Sequence, residues 1–206
     1  MTIKNKRERF KNILPSYCFM KDIFEIRIHG RGGQGAKTAA QFIAEAALEQ
    51  GKNIQAFPEY GPERSGAPVR AFTRISDKPI KTYAPVVNPD VVIVIDPTLI
   101  NEGIAEGLAK EGILLVNSSE SADAIKKKTG FTGKIYTVDA TKISIEHVGK
   151  NLPNTPMLGA LIKITNIVSL NSINNKVKEK FLSKLGEQKT QATIDAIKKA
   201  FDGVKQ

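Results

Sequence analysis

The chain has 206 residues, of which 41% are hydrophobic and 25% are charged. That length is enough for one sizeable core, and the composition is that of a globular domain, not of a disordered chain. The formal net charge of +10 admits nucleic acids, acidic proteins and anionic cofactors as partners. Because tryptophan is absent and aromatic residues make up only 6%, a base-stacking surface is disfavoured, and we expect no nucleic-acid partner.

Cys18 is the only cysteine, and the two histidines, His29 and His147, lie far apart in the sequence. One thiol excludes an internal disulfide and any iron–sulfur or zinc site that needs several thiolates from this chain. We therefore expect no metal site and a reducing, cytoplasmic setting. No apolar run approaches the ~20 residues that span a bilayer, so we expect no membrane association.

Residues 1–21 are predicted to be an extension that lies outside the core. Met20 comes just before the first predicted strand, and we hypothesise that it is the true start of the native protein. Mass spectrometry of the natural protein would decide between the two starts. A single domain is then predicted to occupy residues 22–206.

A glycine-rich turn follows the first apolar run, residues 23–28, and leads into an amphipathic helix. Gly30, Gly32 and Gly35 have the spacing G-x-G-x-x-G, which is typical of the strand–loop–helix unit of nucleotide-binding α/β domains. The free N–H groups of such a helix start favour an anion. The alternative is a tight turn that needs glycine only for packing. The acidic residue expected ~20 positions further on is missing, because Glu59 comes too late.

The glycine turn is unusually polar, since it carries Arg31, Gln34 and Lys37 and follows His29. Such a set suits contact with an anion or with another protein. A general base is one role for His29, but no plausible orienting partner lies nearby in the sequence. We favour the alternative of a structural histidine that donates to a backbone carbonyl.

A second strand is predicted at 53–57, and an irregular loop rich in proline and glycine follows at 58–68. The loop carries four charged or aromatic side chains: Glu59, Tyr60, Glu63 and Arg64. Long irregular loops in compact domains are often functional, and we favour that interpretation over a mere surface connection. The alternation at 69–75 predicts a half-buried strand, and we expect it to pair with residues 80–83 as an antiparallel hairpin.

Three short apolar runs, at 91–95, 113–116 and 135–138, predict strands that are buried on both faces. Asp96 follows the first of them, at the strand end where α/β folds bind ligands; the alternative, which we favour, is that it caps the next helix. Further helices are predicted at 120–128, from about 141 to 148, and at 155–164, 174–185 and 189–201. The helix at 155–164 is expected to pack closely against its neighbours because Gly159 and Ala160 are small. The predicted fold is a three-layer α/β/α arrangement with a mostly parallel, Rossmann-like sheet plus the added hairpin.

The motifs of self-sufficient catalysis are missing from the sequence. No P-loop, no histidine–glutamate zinc motif and no G-x-S-x-G elbow occurs. No pair of carboxylates stands out as an acid–base couple. We therefore predict no catalytic residue in this chain, which has the pattern of an enzyme fold without a catalytic set of its own.

Several motifs resemble those of one protein family, in the same order along the chain. They occupy six segments: 29–35, 59–66, 69–76, 90–98, 116–119 and 154–160. Together they resemble the gamma subunit of 2-oxoacid:ferredoxin oxidoreductases, the pyruvate synthase family, and the likeness runs from Phe24 to the C-terminal helices. The arginine-rich form of 69–74 is more similar to the pyruvate and branched-chain members than to the 2-oxoglutarate members.

The resemblance implies a place in a complex that oxidatively decarboxylates pyruvate or a related 2-oxoacid. Coenzyme A then accepts the acyl group and ferredoxin accepts the electrons. Thiamine diphosphate and [4Fe–4S] clusters are implied to lie on partner subunits, named alpha, beta and delta, and none of these cofactors is bound by this chain alone, in agreement with its single cysteine. The alternative from another class is a stand-alone dinucleotide-binding oxidoreductase that uses the G-x-G-x-x-G loop.

The glycine turn is also the predicted binding site. Because strands of a parallel sheet end at one edge, Arg64 of the 58–68 loop is expected near Arg31. The predicted site residues are Arg31, Gly32, Gly33, Gln34, Gly35 and Arg64. They are expected to bind either a coenzyme A phosphate or a carboxylate of a neighbouring subunit, unless the glycines only permit close packing. Both loops and the start of the 155–164 helix are our candidates for the subunit interface.

Overall fold

The computed structural model describes residues 22–59 and 66–206, so the predicted 1–21 extension and Arg64 lie outside the described residues. The described strands are β1 (Ile23–Arg31), β2 (Asn53–Glu59), β3 (Pro68–Ser76), β4 (Val91–Val94), β5 (Ile113–Asn117) and β6 (Lys134–Val138). The described α-helices are α1 (Ala36–Glu49), α2 (Ala122–Thr129), α3 (Ala140–Val148), α4 (Asn154–Thr165) and α5 (Leu170–Gly203). A short 3-10 helix, Pro97–Leu99, follows β4.

The strands form one sheet in the order β2-β3-β1-β4-β5-β6. Neighbouring strands from β1 through β4 and β5 to β6 are parallel, whereas β3 is antiparallel to both β1 and β2. All four residues of β4 are buried, as its unbroken apolar run predicts for a strand covered on both faces. The predicted α/β class with a mostly parallel sheet is confirmed.

The predicted partner of β3 in the hairpin is wrong. Residues 80–83 form no strand, because β3 pairs with β2 along one edge and with β1 along the other. Both hydrogen-bonding edges of β3 are therefore in use, and residues 80–83 have no edge to join. The antiparallel hairpin consists of β2 and β3, and β2 consequently runs in the same direction as β1.

Helices α1, α3, α4 and α5 supply the core on one face of the sheet, which we call the inner face. Ile28 of β1, Ile93 of β4 and Leu115 of β5 point into this core and are fully buried. Helices α4 and α5 pack closely at Gly159, where a Cβ atom would lie 1.9 Å from the carbonyl oxygen of Ile197. The close packing predicted at this small residue is confirmed.

The opposite face, which we call the outer face, is covered unevenly. Over β4, β5 and β6, buried residues such as Val94, Leu114 and Ile135 pack against α2 and the turns of residues 97–108. Over β1, β2 and β3, none of the described helices lies on this face, since α1 contacts these strands from the inner side. That part of the face is covered only by non-helical chain, which includes the Thr82 and Ala84 carbonyls over Gln55 and Arg74. We call the part under α2 and the 97–108 turns the covered half and the part over β1, β2 and β3 the open half.

Helix α5 was predicted as two helices, 174–185 and 189–201. It is continuous from Leu170 except at Gly186, whose φ of 78° and ψ of 171° are not helical, so the predicted break is confirmed. The helix begins earlier than predicted because Ser169 caps it, accepting a hydrogen bond from the Ser172 N–H at 3.0 Å. None of the described helices is long and apolar enough to cross a membrane.

Candidate functional site

The glycine loop connects the end of β1 to the start of α1. Gly33 and Gly35 have φ values of 94° and 79°, a left-handed conformation that favours glycine. At Gly35 a Cβ atom would also lie 2.5 Å from Nδ2 of Asn154, at the start of α4. Glycine is therefore required at this position both by the backbone conformation and by the approach of a second helix.

Gln34 connects the glycine loop to Asp96, 62 residues away. The backbone N–H of Arg31 donates to Gln34 Oε1 at 2.7 Å, and Gln34 Nε2 donates to Asp96 Oδ2 at 2.5 Å. Asp96 Oδ1 also accepts from the backbone N–H of Thr98 at 2.8 Å and from its Oγ1 at 2.6 Å. The preferred interpretation of Asp96 as a helix cap is confirmed, and the same carboxylate also holds the glycine loop.

The carboxyl group of Asp96 is kept ionised by these contacts. Burial acts to raise its pKa, but the hydrogen bonds from Thr98 and Gln34, together with the charge of Arg31, lower that pKa below its ordinary value. An ionised Asp96 in turn offsets part of the positive charge that the loop presents. We conclude that Asp96 fixes the conformation of the glycine loop through Gln34 and Arg31 and reduces the net positive charge that the loop presents to a ligand.

Arg31 lies at the surface of the loop, with 35% of its side chain exposed. Its Nε is 3.1 Å from Thr98 Oγ1 and 3.4 Å from Asp96 Oδ2, and its Nη1 donates to the Gly66 carbonyl at 3.3 Å. The Gly32 N–H donates to the Ala67 carbonyl at 2.9 Å. The end of the 58–68 loop, at Gly66 and Ala67, therefore lies beside the glycine loop, and the Gly32 N–H is not free to bind an anion. The predicted position of Arg64 near Arg31 stays a prediction.

Two helix starts meet beside Gly35. Neither α1 nor α4 has a side-chain cap or an acidic residue in its first turn. Asn154 and Thr155, the first residues of α4, are more than 90% buried, and none of the hydrogen bonds of the described residues involves their side chains. Partial positive charge from two helix ends is thus concentrated here, with Lys37 adding a full charge, and this favours an anion. Asn154 was not predicted as a site residue, although it directly follows a proline at a helix start.

His29 is too weakly basic to serve as a general base at neutral pH. Burial, followed by the charges of Arg27 and Arg70, lowers its pKa to about 3. Its Nε2 is buried and has no hydrogen-bond partner in the part of the chain that the structure describes. The neutral ring agrees with a structural role, but the backbone carbonyl partner that we predicted is not found at Nε2.

The inserted strand β3 separates the glycine loop from the end of β2. A dinucleotide-binding fold places an acidic residue at the end of the second strand, next to the first, to bind ribose. Here Glu59 ends β2, but β3 lies between β2 and β1, and Glu59 pairs with Arg70 on β3 at 2.9 Å. The geometry does not reproduce a ribose site. Among the described residues, no group of three or more His, Cys, Asp or Glu could hold a metal ion.

Similar proteins were found along nearly the whole chain. Residues 25–203 match the sequence profile of the family described as pyruvate ferredoxin/flavodoxin oxidoreductase. Pyruvate synthase subunit PorC of Thermotoga maritima is 52% identical over 185 residues, which cover 90% of this chain and 96% of that protein. The pyruvate/ketoisovalerate oxidoreductases common subunit gamma of Thermococcus kodakarensis is 47% identical over 182 residues, which cover 86% of this chain and 97% of that protein.

A solved structure shows the same fold. The crystal structure of pyruvate oxidoreductase subunit PORC from Thermotoga maritima matches this chain with a TM-score of 0.83 and 50% identity, covering 90% of this chain and 98% of that one. The resemblance stated from the motifs is confirmed by these relatives. The chain belongs to the pyruvate ferredoxin/flavodoxin oxidoreductase family.

Proposed function

We propose that the chain is the gamma subunit of a cytoplasmic, multisubunit complex that oxidatively decarboxylates pyruvate, or a related 2-oxoacid, to acyl-CoA and CO2 with reduction of ferredoxin. The observation that carries this proposal is the 52% identity to a pyruvate synthase subunit along 90% of the chain. The family match over 25–203 also supports the predicted single domain at 22–206. The partners we propose are the alpha, beta and delta subunits.

The redox chemistry is proposed to reside on those partners. A [4Fe–4S] cluster takes four thiolates, whereas this chain has one cysteine, and no metal-binding group occurs among the described residues. These residues do not fit a cluster, so we assign no electron-transfer step to this chain. We propose the same for thiamine diphosphate, which leaves this subunit with a role in binding and assembly.

The glycine loop is proposed to bind an anion in the assembled complex. The predicted set of Arg31, Gly32, Gly33, Gln34, Gly35 and Arg64 is retained, with Asn154 and Thr155 added from the structure. Gly32 contributes by holding the loop through its hydrogen bond to the Ala67 carbonyl, not by binding the anion. The uncapped starts of α1 and α4 support an anion there. Gln34 acts by orienting the loop through Asp96, and Gly35 by letting α4 approach. The two candidate anions are a coenzyme A phosphate and a carboxylate of a neighbouring subunit.

The first test is activity with and without partners. The purified chain, given pyruvate, coenzyme A, thiamine diphosphate and a viologen dye, should show no turnover, because it holds no catalytic set. The complex assembled with its other subunits should reduce the dye and contain iron. Turnover by the chain alone would contradict the subunit proposal, as would an assembled complex that is inactive towards every 2-oxoacid.

The second test decides between the two anions. Arg31→Ala and Arg64→Ala are made in the assembled complex, and the Michaelis constant for coenzyme A is measured at two salt concentrations. Loss of one charge-assisted hydrogen bond to phosphate costs ~1.5–3 kcal/mol, which raises this constant on the order of ten- to a hundredfold. The matched control is Lys199→Ala, which removes an exposed charge from α5. An unmoved constant in an intact complex removes the cofactor role, and a complex that dissociates indicates the interface role.

A further inference from the structure

The open half of the outer face carries side chains in three rows, each aligned across β2, β3 and β1 by the strand register. We call the first row, which consists of Gln55, Arg74 and Glu25, closed, because the guanidinium group of Arg74 is fully bonded within the chain. Arg74 is 2% exposed, and its Nε donates to Glu25 Oε1 at 2.9 Å. Its Nη1 donates to Gln55 Oε1 at 3.2 Å and its Nη2 to the Ala84 carbonyl at 2.5 Å. Every guanidinium nitrogen of this row has a partner from within the chain.

We call the middle row, which consists of Phe57, Phe72 and Arg27, open, because a buried side-chain nitrogen of the row lacks a partner among the described residues. The third row is open in the same sense. Phe57 and Phe72 stack with their ring centroids 5.3 Å apart, and Arg27 stands beside Phe72 on β1. Arg27 is 5% exposed, and its Nη2 donates to the carbonyls of Ile104, at 3.2 Å, and Glu106, at 2.6 Å. Its Nε, however, is buried and has no partner among the residues that the structure describes. Such unsatisfied buried donors are rare in native proteins and require an explanation.

The third row contains Glu59, Arg70 and His29. Arg70 Nε lies 2.9 Å from Glu59 Oε2, and both side chains are about half exposed, so this ion pair is readily rearranged. His29 Nε2 is the second buried nitrogen without a partner on this face. Burial lowers the pKa of Arg27, the neighbouring charge of Arg70 lowers it further, and the charges of Glu106 and Glu59 offset only part of this. The two arginines thus repel one another, and an anion between them would relieve that repulsion.

A cavity of about 550 Å³ opens over the middle and third rows. Arg27 and Arg70 line it together with both phenylalanine rings, and the segment 83–87 forms its rim. On that rim, Tyr83 is 92% exposed and Val87 is 64% exposed. Exposed aromatic and apolar side chains around a polar pocket are typical of surfaces that bind another protein.

We propose that this cavity is a docking site for an acidic segment of a partner subunit, whose carboxylate binds Arg27 and Arg70 while an apolar neighbour packs on Tyr83. The inference rests on the proposed function, which places the chain in a multisubunit complex. Once the half-exposed Arg70–Glu59 pair rearranges, a single carboxylate supplies the acceptor that the buried Arg27 Nε lacks. Glu59 and Glu106 also line the cavity, which disfavours a free, multiply charged ion such as phosphate. An acidic protein segment satisfies both the charge and the apolar rim.

Photo-crosslinking in the complete reconstituted complex identifies the occupant. A benzoylphenylalanine replaces Tyr83, and after irradiation the crosslinked peptide is sequenced by mass spectrometry. We expect a peptide of a partner subunit that contains Asp or Glu at or next to the crosslinked residue. The matched control carries the same group at Leu182, which is 50% exposed on α5. A crosslink to a second copy of this chain, to a peptide without an acidic residue, or to no partner overturns the proposal.

Association measurements test the chemistry of the site. Arg70→Gln and Tyr83→Ala should each weaken the binding of the chain to the remaining subunits about tenfold or more. Lys81→Ala removes an exposed charge two residues before Tyr83, outside the cavity lining, and should leave binding unchanged. Both test variants change exposed residues, and thermal unfolding verifies that they fold.

The outcomes separate this inference from the proposed function. If Arg70→Gln and Tyr83→Ala bind as the unaltered chain does while the complex assembles and turns over, the docking site is overturned and the subunit role stands. If the unaltered chain joins no complex with the alpha, beta and delta subunits, the proposed function and the docking site are both overturned.

Discussion

The covered and open halves of the outer sheet face differ in what their side chains contact. Over β4, β5 and β6 the face is apolar and lies under α2 and the 97–108 turns. Over β1, β2 and β3 it carries arginines, carboxylates and a histidine, and a cavity opens above it. Burial of apolar area stabilises the covered half by about 25 cal/mol per Å². In the open half, Arg27 Nε and His29 Nε2 are buried with no partner among the described residues and contribute no hydrogen-bond stabilisation.

The open half is itself divided. The row centred on Arg74 is satisfied from within the chain by Glu25, Gln55 and the 82–84 segment. The two rows above it are satisfied only in part: Arg27 Nε and His29 Nε2 have no partner among the described residues, and Arg70 has only a half-exposed ion pair with Glu59. We infer that charged residues on one sheet face serve two purposes: those that are fully paired within the chain hold the fold, and those that are only partly paired bind another molecule. Four measurements test this division.

Arg74→Ala should have the largest effect on stability. It removes a charge that is 2% exposed, together with its ion pair to Glu25, whose side chain is 17% exposed, and its hydrogen bonds to Gln55 and the Ala84 carbonyl. Breaking a buried ion pair in this way costs about 3–5 kcal/mol of unfolding free energy. Urea denaturation of the purified chain measures the loss, with Lys81→Ala as the control for removal of an exposed charge. A loss below about 1 kcal/mol would contradict the assignment of Arg74 to the fold.

Leu114→Ala should have the next largest effect, in the covered half. Leu114 is fully buried against the outer layer, and truncation of such a residue costs about 2–5 kcal/mol through lost burial and the cavity left behind. Leu182→Ala, at a leucine that is 50% exposed, should change stability by less than about 0.5 kcal/mol. Similar losses at both positions would show that the outer layer adds little to the core.

Acidification should weaken the fold through His29. Because its folded-state pKa of about 3 lies below the ordinary 6.5, the unfolded chain takes up the proton first as the pH falls. The stabilising contribution is complete above pH 6.5 and is lost between pH 6.5 and about 3. It amounts to about 1.6 kcal/mol between pH 6.5 and 5, because the slope is half of about 1.4 kcal/mol per pH unit at pH 6.5 and approaches the full value below it.

The control for this pH dependence is His29→Gln, which removes the titrating ring. Unfolding free energies of both proteins are measured from pH 6.5 to 5, above the range in which most carboxylates titrate. The slope of the unaltered chain should exceed that of the variant. Equal slopes of unfolding free energy against pH would mean that the surroundings of His29 do not keep its ring neutral. Burial and the charges of Arg27 and Arg70 would then act on His29 less strongly than the structure indicates.

Arg70→Gln should have the smallest effect on the isolated chain. Its ion pair with Glu59 is about half exposed, and exposed pairs contribute about 0–1 kcal/mol. The variant should therefore unfold within about 1 kcal/mol of the unaltered chain although it loses affinity for its partners. If its stability falls as far as that of Arg74→Ala, the distinction between closed and open rows is wrong.

Much of the architecture follows from local sequence signals. The apolar runs predicted β4, β5 and β6 to within a residue or so, because burial on both faces leaves an unbroken hydrophobic pattern. The cap at Asp96 and the close packing at Gly159 were also predictable from the sequence. Each depends on a particular residue type at a particular position, either the start of a helix or its packed surface. The ordered motifs from 29 to 160 were sufficient to identify the family.

The remaining features depend on which strands become neighbours. The sequence contains the alternating pattern of β3 but nothing that inserts it between β1 and β2, so its partner was predicted wrongly and the rows of Arg27, Arg70 and Arg74 were not foreseen. The link from Gln34 to Asp96 spans 62 residues and is equally invisible in one dimension. Hydrophobic periodicity specifies which side of a strand is buried. Only the tertiary register decides which side chains then stand beside one another, because that choice is made by contacts between distant parts of the chain.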